Sequence, residues 1–77
     1  MKNYVATFHS HYDAMIFCKH LKKNGISAKP APVPRKISAD CGTCIIYEAE
    51  NPPTETPIKP ESTYLVENGN YSLIPVI

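Results

Sequence analysis

Eight prolines, all of them after Ala28, constrain this chain more than any other feature. A proline inside a helix removes a backbone donor and clashes with the preceding turn. Only the first third of the chain can therefore hold a long helix; the middle and the region after Asn51 cannot. Pro30, Pro32 and Pro34 recur at every second position. If residues 27–34 are extended, all three missing N–H groups fall on one edge, and the strand can still pair through the other.

Within the permitted third, residues 4–8 (Tyr-Val-Ala-Thr-Phe) are rich in β-branched and aromatic side chains and read as a central strand. Ser10 is a good helix N-cap, and Asp13 suits the positive end of the helix dipole. The helix is expected from about His11 to Asn24. Ala14, Phe17, Cys18 and Leu21 make its inward stripe, with Met15 or Ile16 flanking it. Gly25 stands where a left-handed residue closes a helix, and Ile26 supplies the apolar contact that often follows. After the proline strand, residues 43–47 read as a third strand running back antiparallel to the second. Residues 48–62 hold four prolines among acids and threonines and read as a loop. Asn68-Gly69, between apolar runs at 63–66 and 71–76, is a hairpin signal, and Pro75 marks an edge strand.

The expected fold is α+β: a small β-α-β-β mixed sheet with one helix on one face, followed by a C-terminal β-hairpin. The division is a β-α-β-β unit over 1–50, a proline-rich linker over 51–62 and a hairpin over 63–77 that completes the sheet. One helix does not cover four or five strands, so a homodimer is the simplest cover for the remaining apolar face. At 77 residues the core is small. A net charge of +1 with no basic block argues against a nucleic-acid binder. No apolar run approaches the roughly 20 residues that span a bilayer, so no membrane partner is expected. The N-terminus lacks a signal-peptide core, and three cysteines do not suit a secreted disulfide framework, so a cytoplasmic location is expected.

If the first two strands run parallel, their carboxyl ends share one edge of the sheet with the start of the helix. His9, Ser10 and His11 follow the first strand, and Arg35 to Cys44 follow the second. Carboxyl edges of parallel strands and helix N-termini favour ligands and anions. His9, Ser10, His11, Arg35, Cys41, Gly42 and Cys44 are the candidate site residues.

The strand at 4–8, the helix ending at Gly25-Ile26, the run Pro32-Val33-Pro34-Arg35, Ser38 and the pair Cys41-Gly42 together resemble the selenium/sulfur (Se/S) carrier protein-like family, small bacterial domains of unknown function. The resemblance covers about residues 3–48. It implies a cysteine that carries sulfur or selenium, with Arg35 at the family's arginine and Cys41-Gly42 at its Cys-Gly pair. Cys44 lies outside that pattern. The resemblance also implies a ferredoxin-like βαββαβ topology. Here the proline-rich residues 51–61 stand where the second helix belongs, so a truncated ferredoxin-like fold is expected.

Three uses of the site follow. In the first, Cys41 is the reactive thiolate, Arg35 its electrostatic partner, and the other participant a sulfur or selenium donor or acceptor protein; no cofactor is required. In the second, Cys41 and Cys44 form a dithiol switch, which is disfavoured because thiols entering a strand point to opposite faces. In the third, zinc is held by Cys41 and Cys44 with His9 and His11, or the same loop or the sheet edge binds a partner protein without catalysis. A self-sufficient enzyme is the least favoured reading: no Ser-His-Asp ordering, carboxylate pair or phosphate loop is present.

Overall fold

The computed structural model describes residues 1–37 and 42–75. Its elements are β1 (Lys2–Thr7), α1 (His11–Lys23), β2 (Ala28–Pro32), β3 (Thr43–Ala49), β4 (Ser62–Glu67) and β5 (Asn70–Ile74). All five strands form one sheet in the order β2-β3-β1-β4-β5, and every neighbouring pair is antiparallel.

The expected mixed sheet is therefore corrected. β1 and β2 do run the same way, but β3 lies between them. The physical reason is in the prolines. In a mixed sheet with β1 beside β2, β2 would need both of its edges, one for β1 and one for β3. Pro30 and Pro32 stand opposite Ile45 and Thr43, and a residue without an N–H occupies only the non-bonded positions of an antiparallel ladder. The bonded positions alternate with them, as the flanking bonds from Glu48 N–H to the Ser27 carbonyl and from Val33 N–H to the Gly42 carbonyl show. β2 thus has one usable edge, β3 takes it, and β1 pairs with the far side of β3.

The helix forms where its caps and stripe require. Ser10 Oγ accepts the Asp13 N–H at 3.1 Å. Gly25 at φ +78° closes the other end, where Ile26 N–H reaches the Leu21 carbonyl at 2.9 Å and Gly25 N–H the Lys22 carbonyl at 3.1 Å. Both bonds of a Schellman cap are thus present. Ala14, Phe17, Cys18 and Leu21 are the helix's buried residues. They pack on Tyr4, Ala6, Ala28, Ile45 and Tyr47, the inward positions of β1, β2 and β3, and on Phe8 just after β1. Phe17 is the hinge of this core: its ring lies 4.9 Å from Phe8 and 5.9 Å from Tyr47, and Tyr47 stacks on Tyr4 at 5.3 Å. Each fully buried large side chain of this kind contributes about 1.5–3 kcal/mol.

Between β3 and β4 the proline-rich segment holds no helix or strand. It stays on the helix side, where Ile58 packs against the core, and Glu61 N–H meets the Thr7 carbonyl at 2.8 Å. The β4–β5 turn is the expected Asn68-Gly69 pair, both at positive φ. Because β4 pairs with β1, the hairpin belongs to the same sheet. Val76, at the end of the expected last strand, lies outside the described residues.

The face away from the helix is not bare. Val5, Thr7 and Cys44 point to it and are buried. Lys36 Nζ donates to the Gly69 carbonyl at 3.1 Å. Gly69 sits at the end of the sheet opposite the carboxyl end of β2, so the segment after Pro32 folds back diagonally across this face toward the hairpin tip. The expected uncovered apolar face is thus partly covered by the chain itself. No helix is long and apolar enough to cross a membrane among the described residues.

Candidate functional site

Strand direction fixes the neighbourhood first. Thr7 stands opposite Cys44 and Ser62, and Pro32 opposite Thr43. The carboxyl ends of β1 and β2 and the amino end of β3 therefore share one edge, and α1 starts there. That much of the expected placement is met, although the sheet order differs.

At this edge the two histidines diverge. His11 Nδ1 lies 3.1 Å from Thr43 Oγ1, tying the helix start to the start of β3. His9 Nδ1 lies 2.9 Å from Glu61 Oε2, with the two side chains 78% and 48% exposed. Ser10, between them, is the N-cap. Neither Thr43 nor Glu61 was singled out as a partner from sequence. Their contacts depend on which strands neighbour β1, which no local pattern reports.

Arg35 is exposed and lies in a turn closed by Ile37 N–H on the Pro34 carbonyl at 3.0 Å. The turn belongs to the segment that Lys36 draws over the helix-free face. Among the described residues no hydrogen bond or ion pair joins Arg35 to His9, His11 or Glu61. Gly42 is exposed, and its carbonyl accepts the Val33 N–H at 3.2 Å. This bond continues the β2–β3 ladder and clamps the two ends of the intervening loop. Gly42 is not among the positive-φ glycines, and an added Cβ would meet Val33 Cγ2 at an ordinary 3.6 Å. It is not glycine for backbone reasons at this position. Cys41, with residues 38–40, lies outside the described residues.

The other two cysteines are settled by burial. Cys18 is on the inward stripe of α1, and Cys44 is wholly buried under the opposite face of the sheet; both are free thiols. Cys44 Sγ donates to the Pro32 carbonyl at 3.5 Å. Burial pushes its thiol above its ordinary range, which disfavours the thiolate needed for nucleophilic attack or metal ligation. Cys44 faces away from the helix while His11 meets Thr43 on the helix side. No cluster of three potential metal ligands occurs among the described residues. An open groove of about 330 Å³, lined by Met1, Gly25, Ile26 and Ala49 with Glu48 and Glu50, lies at the other end of the sheet.

Comparison with known proteins gives one match. The family model described as "Putative Se/S carrier protein-like" matches residues 3–64. No curated protein matches the chain, and no solved structure does.

Proposed function

Because the chain belongs to the Se/S carrier protein-like family, we propose that it is a carrier whose Cys41 thiolate takes up one sulfur or selenium atom from a donor protein and passes it on. The family match carries this reading, since residues 3–64 include the Pro32-to-Arg35 run and Cys41-Gly42. Burial supports the choice of thiol. A carrier thiol must reach its partner as thiolate, and Cys18 and Cys44 are enclosed on the two sides of the sheet. Cys41 is the cysteine left for the role. The Val33–Gly42 bond holds both ends of its loop, and Arg35 on the same loop is the electrostatic partner. In this reading the scaffold is truncated ferredoxin-like, with β4-β1-β3-β2 as its sheet order and the proline-rich segment in place of a second helix. A reducing compartment such as the cytoplasm keeps the three thiols free.

The transfer balances without an added oxidant. The Cys41 thiolate attacks the terminal sulfur of a donor persulfide, R–S–SH. A bond forms between Cys41 Sγ and that sulfur, the donor S–S bond breaks, and the donor leaves as R–S⁻. Cys41–S–SH keeps the proton, and the sulfane atom retains its oxidation level. A selenium atom in the terminal position follows the same course.

The test is intact mass after incubation with a persulfide donor. The wild type and the double variant Cys18→Ala/Cys44→Ala are expected to gain one sulfur atom, and Cys41→Ser none. A gain that survives Cys41→Ser, or equally slow alkylation of all three thiols, refutes the reading.

A further inference from the structure

We infer that the exposed edge of β5 is a pairing surface for a second copy of this chain, joined antiparallel about a two-fold axis through Ser72.

The argument begins at the opposite edge. Pro30 and Pro32 fix which residues of β2 bond to β3, and the alternation then propagates through the sheet. Gly42, Cys44, Ile46 and Glu48 bond toward β2, which leaves Ile45 and Tyr47 for β1. Val5 then bonds to Tyr64, and Asn3 to Val66. Glu67 and Asn70 remain as the bonded pair beside the Asn-Gly turn, where a two-residue hairpin requires one. The count arrives at β5 with Ser72 and Ile74 turned toward β4. Tyr71 and Leu73 therefore direct their N–H and C=O groups outward. Among the described residues no further backbone bond is made by either.

The two edges of the sheet thus differ in kind. β2 presents prolines. β5 presents two residues with free donors and acceptors, in a strand with no charged side chain and no proline. Charge and proline are devices that edge strands commonly use against pairing, and β5 carries neither. Because Asn70–Ile74 is uncharged, a second copy meets no like-charge repulsion there. Centring the axis on Ser72 sets Tyr71 against Leu73 of the other copy, and Leu73 against its Tyr71. This register uses every outward group of both strands. Moving the axis toward the C-terminus would place Tyr71 against Pro75, which has no N–H to give.

Side chains agree with the same register. Tyr71 and Leu73 both lie on the helix-free face, beside Val66 and Tyr64. Leu73 is 60% exposed, one of three large apolar side chains so exposed among the described residues. Pairing about Ser72 lays the ring of the other copy's Tyr71 over it and continues the apolar row of Ile46, Val5, Tyr64 and Leu73 across the junction.

The experiment is amide exchange of the full chain by NMR over a range of concentrations, with oligomeric state from sedimentation equilibrium. A dimer that forms with rising concentration is expected. When about nine-tenths of the chains are paired, exchange at Tyr71 and Leu73 slows about tenfold, while Ser72 is protected throughout. Leu73→Pro removes only an outward N–H and the exposed side chain, so it is expected to abolish the dimer and leave the β4–β5 ladder protected. Leu73→Lys places a charge on the same edge and is expected to do likewise. A chain that stays monomeric, with free exchange at Tyr71 and Leu73 at every concentration, overturns the inference and leaves the edge to a strand of another protein. A dimer that both variants leave intact also overturns it.

Discussion

Cys44 offers the sharpest test of how this small sheet treats its thiols. Burial raises its pKa above the ordinary 9.0. A group whose pKa is raised on folding contributes stability in full below its unfolded pKa and loses it as pH rises past that value, because the unfolded chain ionises first. The window therefore opens near pH 9 and extends upward. At pH 10 the unfolded thiol is mostly thiolate. If the native thiol stays neutral, the loss from this group is at most about 1.4 kcal/mol, one pH unit's worth. Tyr47 adds to the same trend. Its hydroxyl is pushed well above 10.0, chiefly by burial and secondarily by Tyr4. The Cys44→Ala variant separates the two. Its own cost cancels when each protein is compared with itself at pH 7 and pH 10, and Tyr47 contributes equally to both. Urea unfolding under reducing conditions gives the four stabilities. The wild type is expected to lose up to about 1.4 kcal/mol more than the variant, a midpoint difference of about 1 M for a chain this small. Equal alkaline losses in the two proteins would refute the assignment of Cys44 as an enclosed neutral thiol.

Other substitutions probe the frame. Phe17→Ala opens the centre of the aromatic core and is expected to cost about 3–5 kcal/mol, a large share of the about 4–12 kcal/mol available to a domain of this length; denaturant melts read it directly. Gly25→Ala forces an L side chain into φ +78° and is expected to cost about 1 kcal/mol, although nothing crowds the position. Ser10→Ala removes the acceptor for the Asp13 N–H and is expected to cost about 1 kcal/mol by thermal unfolding. His9→Ala deletes an exposed pair and is expected to change stability by less than about 1 kcal/mol; a larger loss would mean that the Glu61 contact organises the carboxyl edge.

The helix was legible in the sequence because its signals are local. Ser10, the Ala14-to-Leu21 stripe and Gly25-Ile26 fall within a few turns of one another. The hairpin was legible for the same reason, through Asn68-Gly69. Sheet order is not local, and the expected parallel neighbours β1 and β2 proved to be separated by β3. Yet the correction was implicit in Pro30 and Pro32: a strand with one bonding edge has one neighbour. The candidate site divides along the same line. Ser10 caps the helix as its spacing implies. The partners of His9 and His11 come from residues more than thirty positions away, brought in by strand order. The bond from Lys36 to Gly69 depends on the twist that brings diagonal corners of the sheet together, and periodicity carries no signal for it.

The prolines of β2 have a consequence for growth. In the language of polymers, a sheet with two open edges is a bifunctional unit, and repeated addition gives a fibre. This sheet is monofunctional. At its β2 edge two of the three outward positions, Pro30 and Pro32, have no hydrogen to give, so any strand that joins at β5 ends the reaction there. Pro30 and Pro32, which help to keep a helix out of the middle of the chain, also act as its chain terminator, and they restrict self-addition through the sheet edges to a closed pair.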